Sequence, residues 1–131
     1  MGPYTASAVD MLDFFERQRD WSYETFGPPT FKGPKGPLDH LQKEAKEAYE
    51  ETDESKRKVE IVDCLFLVFD AAHRAGMSYA EISRIAMEKL AKNKSRTWPD
   101  WRGTNPDKAI EHDRSKDLPP NGVIDERCNN Y

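Results

Sequence analysis

The sequence predicts an all-α fold, a bundle of four to five helices. Three observations predict it. Apolar residues recur at three- and four-residue intervals through most of the chain, and no segment shows the alternation of a half-buried strand. Gly/Pro clusters and short polar turns separate these periodic stretches. Capping residues stand where the stretches begin and end. At 131 residues the chain is the size of one domain with a modest core, which a partner chain would help to cover.

In the first stretch Ala8, Met11, Leu12, Phe15, Gln18 and Trp21 fall near helical spacing, which predicts a helix from about Thr5 to Thr25. Gly27-Pro28-Pro29 stops it, and residues 27–37 form a Gly/Pro loop containing Lys32 and Lys35. A second helix starts near Pro37 or Leu38 and ends near Glu54, with an apolar stripe of Leu38, Leu41, Ala45, Ala48 and Tyr49. The turn Thr52-Asp53-Glu54-Ser55 is short, so the third helix folds back antiparallel to the second. It spans roughly Lys56 to Ala75, with Gly76 as its C-terminal cap. Ser78-Tyr79-Ala80-Glu81 is a capping box for a fourth helix that presents Ile82, Ile85, Ala86 and Leu90 and runs to about Asn93. An aromatic, proline-rich segment, Thr97 to Trp101, follows. Asn105-Pro106 then caps a further short helix through Ile110. Residues 1–113 read as the folded domain and 114–131 as a polar, flexible tail.

Net charge is −4 and the pI about 5.4, so bulk electrostatics give no attraction to nucleic acid. The two cysteines, Cys64 and Cys128, form no CxxC or Cys/His zinc pattern, and Cys64 reads as a small core residue. No signal peptide is visible, and the apolar run at 61–69 is too short to span a membrane. No membrane partner is expected, and a reducing cytoplasm is the default setting.

The third helix carries the most informative stretch, Val59-Glu60-Ile61-Val62-Asp63-Cys64-Leu65-Phe66-Leu67-Val68-Phe69. A helix apolar on nearly all sides is expected to be buried. Carboxylates carried into it need a counter-charge, a hydrogen-bond network or a metal ion. Glu60 and Asp63 lie three apart on one helix face, and Glu44 and Glu47 repeat that spacing on the second helix. With the helices antiparallel, the pairs can face each other. Four converging carboxylates repel one another. Mg²⁺ or Mn²⁺ relieves the repulsion, binds phosphate oxygens and acidifies water. Yet acidic pairs arise cheaply in a chain with 24 acidic residues. Glu47/Glu50 and Glu51/Glu54 fit the same spacing, so a solvated charge face stays open for helix two. Asp70 falls near the face of Asp63, where it either extends the site or is a surface or helix-end acid.

Lys89, Lys92/Asn93 and Arg96 fall on one side of the fourth helix if it continues past Asn93; alone they read as cations at a helix C-terminus, but beside a carboxylate cluster they read as donors to a triphosphate. Trp21, Phe26, Trp98 and Trp101 offer a stacking wall for a base, or core. Lys35 beside Gly36 reaches a phosphate or is a solvated loop residue. His40 and His73 show no partner pattern, and His112-Asp113 is an isolated dipeptide in the tail. No glycine-rich phosphate loop occurs.

Glu44-x-x-Glu47, a twelve-residue gap and Glu60-x-x-Asp63 together resemble the signature of the all-α nucleoside triphosphate pyrophosphohydrolases, the MazG-like superfamily. The flanks narrow the resemblance to the dATP/dGTP diphosphohydrolase branch common in phages and prophages. They are Gln18-x-x-Trp21-Ser22-x-x-Thr25-Phe26-Gly27, Lys35-Gly36-x-Leu38-Asp39-His40, Arg74-Ala75-Gly76 and Lys92-Asn93-x-x-Arg96-Thr97-Trp98-Pro99-Asp100-Trp101-Arg102, continued by Pro106 to His112. The resemblance covers about residues 14–113.

It implies a four- to five-helix MazG-like bundle assembled as a homo-oligomer, dimer or tetramer. It also implies Mg²⁺ or Mn²⁺ dependence and cleavage of a purine deoxynucleoside triphosphate to the monophosphate and pyrophosphate. Glu44, Glu47, Glu60 and Asp63 would then be the metal-site and catalytic acids, Glu47 the candidate to orient the attacking water. Lys92, Asn93 and Arg96 would contact phosphate or sugar. Gln18, Trp21, Lys35, Asp70 and Lys89 complete the expected substrate contacts. A phage-encoded enzyme of this branch would act in the host cytoplasm. Two other readings remain: a pyrimidine-specific enzyme, and a helical interaction module whose acids are neutralised by Lys43, Lys46, Lys56 and Lys58.

Overall fold

Short polar turns and explicit caps cut the chain into helices. A computed structural model describes residues 10–114. Four α-helices follow in order: α1, Met11–Phe26; α2, Lys35–Glu50; α3, Glu54–Arg74; and α4, Tyr79–Ser95. A single 3₁₀ turn, Trp101–Gly103, comes after them, and no strand occurs among the described residues. The expected start of the first helix before residue 10, the tail from residue 115 and Cys128 lie outside the described residues. None of the described helices is long and apolar enough to cross a membrane.

Each boundary has a local cause. The Asp10 carboxylate accepts the Asp13 amide at 2.9 Å and caps α1. Gly27, at φ +99°, ends the helix in a conformation L side chains avoid. α2 begins two residues earlier than expected, at Lys35, because Gly36 and Pro37 fit its first turn, where amides have no intrahelical partner anyway. It also ends earlier, at Glu50. Asp53 has left the turn's interior to become the cap of α3, accepting the Ser55 and Lys56 amides at 2.9 and 3.2 Å. Arg57 ties the turn together by donating to the carbonyls of Ala48 and Glu51 and to the Glu54 carboxylate.

The C-terminus of α3 is as the sequence predicts. Gly76 sits at φ +80°, its amide bonded to the His73 carbonyl while Met77 bonds to Ala72, a Schellman ending. The Ser78 hydroxyl accepts the Glu81 amide at 3.1 Å at the start of α4. The further helix expected at 105–110 does not form. The Asn105 side chain takes the Asp107 amide at 2.9 Å, and this local turn competes with helix.

The chain groups into two compact units that divide within α4, Met1–Ile82 and Ser83–Tyr131. In the first, α2 packs along α3 across the short turn, and α1 packs on α3. Phe15 of α1 is buried edge-on against Phe69 at 5.1 Å and lies tilted over the His73 ring at 3.6 Å, while Phe14 meets Phe66 at 5.0 Å. In the second, His112 is buried against Trp98, and the Asp113 amide bonds to the Thr97 carbonyl at 2.8 Å. His112-Asp113 is therefore packed structure and not part of a loose tail.

The expectation of a fully buried third helix does not hold within one chain. Val59, Ile61, Val62 and Val68 are 61, 55, 47 and 45 % exposed. The fully buried residues of α3 lie at its end, Phe69, Asp70, Ala71, His73 and Arg74, while Glu60 and residues 64–67 are half-buried. Asp70 is accordingly neither a surface nor a helix-end acid. Its Oδ1 accepts the Ser22 hydroxyl at 2.6 Å and the Arg74 Nε–H at 3.0 Å, with Arg74 1 % and Asp70 10 % exposed at the side chain.

Removing one partner of a buried pair leaves the other charge uncompensated, at about 3–5 kcal/mol. Asp70→Ala is therefore expected to lower unfolding stability by about that amount, read as a fall in the urea midpoint.

Candidate active site

The α2–α3 hairpin brings acids from both helices together. Glu44 and Glu47 come from α2, Glu60 and Asp63 from α3, and Glu51 from the turn between them. Burial pushes the Glu60 carboxyl above its ordinary value, and the negative charges of Glu51, Glu47, Glu44 and Asp63 push it further. Half-buried Cys64 responds in the same sense: burial first, then Glu44, Asp63 and Glu60, raise its thiol. Two groups one helical turn apart thus report one shared negative field.

Glu60 carries the sharpest signal. Its Oε2 is out of contact with solvent and has no hydrogen-bond partner. A buried carboxylate oxygen with no donor, surrounded by other carboxylates, is costly unless a cation reaches it. The donors on offer are hard oxygens, which suits Mg²⁺ or Mn²⁺. Among the described residues no three acidic, histidine or cysteine side chains are drawn up as a ligand set. Within this neighbourhood Glu44 is the enclosed acid of α2, with a side chain 17 % exposed, whereas Glu47 and Asp63 are exposed.

Two partners went unseen in the sequence. His40 Nε2 lies 3.1 Å from Glu44 Oε1, one turn earlier on the same face. The i, i+4 spacing was there to read, but it is common on a charged helix. Glu51 bears most heavily on Glu60 among the neighbouring acids, and its Oε1 also accepts the Thr52 and Asp53 amides at 3.1 Å each. Its position four residues after Glu47 was the available signal.

A cavity of about 430 Å³ opens beside the acids, lined by Glu44 and Asp63 and, from α1, by Gln18 and Trp21. Gln18 is 5 % exposed, and its Oε1 has no partner. Trp21 and Phe26 meet edge-to-face at 5.3 Å and stay half exposed, which suits a wall better than a core. A second cavity, about 660 Å³, shares Phe26, His40, Leu67 and Asp70 with the first and extends to Lys32, Lys35 and Arg74. Gln18, Trp21, Lys35 and Asp70 therefore line the same pair of adjoining cavities as the acids Glu44 and Asp63.

Lys89, Lys92, Asn93 and Arg96 belong to the second unit. There the Asn93 side chain accepts from Arg96 Nη1 at 3.0 Å, and its backbone carbonyl accepts the Trp98 indole N–H at 2.7 Å. Trp101 carries the Arg102 guanidinium over its ring at 4.8 Å. His73, which the sequence left without a partner, donates Nε2–H to the Phe15 carbonyl at 2.8 Å; burial lowers its pKa and keeps it neutral. It is a core histidine.

The sequence model of the dATP/dGTP pyrophosphohydrolase family matches residues 14–117. The chain belongs to this family. Its members are nucleoside triphosphate diphosphatases, and the match spans both acidic pairs and the α1 residues that line the cavity. The Eaa protein of Salmonella phage P22 is 36 % identical over 126 residues, covering 95 % of this chain and 36 % of that protein. The chain thus spans about a third of the length of that curated relative. No solved structure matches.

The raised Glu60 value sets a pH dependence. Between the ordinary carboxyl value of 4.5 and the raised one, the folded state keeps a proton that the unfolded chain has released. Without divalent cations, stability should fall as pH rises through that window and stay lower above it. Glu60→Gln should remove the fall, as urea titrations in EDTA across that range would show.

Proposed function

We propose that this chain hydrolyses a purine deoxynucleoside triphosphate, dGTP and/or dATP, to the monophosphate and pyrophosphate. Divalent Mg²⁺ or Mn²⁺ would be held by Glu44, Glu47, Glu60 and Asp63. The observation that carries this reading is the partnerless buried Oε2 of Glu60 amid the other acids, beside a cavity walled by aromatic side chains. The family supports the substrate and the bond cleaved.

When bound, the cations would grip phosphate oxygens and acidify water. The protein's own groups do the rest. Glu60 and Glu44, the more enclosed acids, fix the negative field that calls the cation in. Glu47, exposed and one turn from Glu44 on α2, would orient the attacking water and take its proton. Trp21 and Phe26 offer an aromatic surface to the base, and the partnerless Gln18 oxygen accepts a donor from the nucleoside. Lys35 extends the adjoining cavity with positive charge for the leaving pyrophosphate. By the family resemblance Lys92, Asn93 and Arg96, with Lys89, would be further phosphate or sugar contacts.

The working form is a homo-oligomer, dimer or tetramer. The support is the uncovered apolar surface of α3 at Val59, Ile61, Val62 and Val68, set against a buried apolar core of Phe15, Ala48, Phe69 and Ala71. If encoded by a phage, it would act in the host cytoplasm.

Pyrophosphate release should follow addition of dGTP or dATP with Mg²⁺ or Mn²⁺, and Glu60→Ala or Asp63→Ala should cut it by about 10²-fold or more while leaving the helical circular dichroism intact. Faster turnover of dCTP or dUTP would replace the purine with a pyrimidine, and no release from any nucleotide would reject the enzyme altogether. Separately, Ile61→Asp should shift the protein to a monomer in sedimentation; an unchanged assembly would place the interface elsewhere.

A further inference from the structure

Arg74 was singled out in the sequence only as part of an Arg-Ala-Gly run, and none of the roles above uses it. Its guanidinium is nevertheless the most heavily bonded side chain among the described residues. Nε donates to Asp70 Oδ1 at 3.0 Å. Nη1 donates to two loop carbonyls, Gly27 at 3.0 Å and Lys32 at 2.9 Å. Nη2 donates to the Ser22 hydroxyl at 2.9 Å and to its carbonyl at 3.4 Å. The face of Tyr23 lies 5.4 Å from the guanidinium carbon. An arginine side chain has five N–H donors, and all five are used. None is left for a phosphate, although Arg74 lines the larger cavity.

An ion pair with Asp70 needs only one turn of α3. Arg74 instead reaches segments 42, 47 and 52 residues away. Two of these contacts pin the ends of one short loop. That loop has its own turn, in which the Pro28 carbonyl accepts the Phe31 and Lys32 amides at 3.0 Å each. It is thus pinned at Gly27 and at Lys32 and braced within. It leads directly into α2, whose first residue is Lys35, and both Lys32 and Lys35 line the cavity wall.

We propose that Arg74 is a positioning residue for the triphosphate: it clamps the Gly27–Lys32 loop to α1 and α3, so that Lys32 and Lys35 stand fixed at the cavity that receives the polyphosphate. The role rests on the pyrophosphohydrolase reading above. Lysine at position 74 can still pair with Asp70, but a compact ammonium cannot reproduce a planar fork that spans two carbonyls and a hydroxyl.

The test is steady-state pyrophosphate release by the full chain with dGTP and dATP. Arg74→Lys should raise KM roughly tenfold with kcat within about twofold, because a loosened loop weakens substrate binding and not the chemical step. The Mn²⁺ dependence should not move, since the acids lie on other residues. In a Lys32→Ala/Lys35→Ala background the same substitution should add less than about twofold to KM, as expected of a residue that acts through those lysines. Trypsin should cut after Lys32 and Lys35 faster in Arg74→Lys than in wild type, a readout independent of turnover. Where the lysine variant does not fold, Arg74→Gln is read in the same way. Ser22→Ala, which removes a support but leaves the loop clamp, should lower stability without moving KM. A tenfold KM rise that persists without the two lysines, or a lower melting temperature with KM and trypsin cutting unchanged, overturns the proposal. A wild-type protein that releases no pyrophosphate overturns the functional reading itself, and this role with it.

Discussion

The close approach of α2 and α3 is the constraint on which the rest depends. Three residues, Glu51 to Asp53, join two helices of 16 and 21 residues, so the helices must run side by side. Arg57 and the Asp53 cap make that turn rigid. Any acidic face turned toward the partner helix then meets another acidic face. Glu60 shows the consequence: an oxygen without solvent or donor, in the field of four other carboxylates. Such an arrangement costs stability unless a proton or a cation offsets it, and the proposed cation and polyphosphate chemistry rests on that cost.

A second, opposite solution to buried charge sits nearly three turns further along α3. Asp70 and Arg74 are also enclosed, but here every guanidinium donor has an acceptor and the carboxylate has both a hydroxyl and the arginine. The same helix thus carries one acid left partly unsatisfied and one fully answered. The unsatisfied one is the proposed cation site, and the answered one, with Arg74, ties α3 to α1 and to the loop after it. Asp70 lines both adjoining cavities, of which one is walled by Trp21 and Phe26 and the other by the loop that bears Lys32.

The third feature is what one chain fails to cover. Among the described residues the buried apolar side chains are few, Phe15, Ala48, Phe69 and Ala71, while the first half of α3 exposes branched aliphatic residues. A helix of that composition is stable in water only when something shields it. The exposed aliphatics alternate along α3 with the acids Glu60 and Asp63, so an assembling partner would come close to the proposed catalytic centre.

Much of this was legible in the sequence because it is local. Helical period, Gly76 at a left-handed cap, the Ser78 capping box and the short turn at residue 53 depend on neighbours a few residues apart, and each appears where expected. So does the family, through motifs spread over most of the chain. The errors were also local in origin. Asp53 served as a cap instead of a turn interior, and Asn105 closed its own turn instead of opening a helix. Periodicity could mark Val59, Ile61 and Val62 as apolar but could not say whether they face this chain's core. What only the tertiary structure decided were the pairings across long sequence separations. His40 with Glu44 was within reach of spacing rules, but Arg74 with the carbonyls of Gly27 and Lys32, and Asp70 with Ser22, were not. A backbone carbonyl looks alike at every position, so which ones a distant guanidinium will find is settled only when the helices pack.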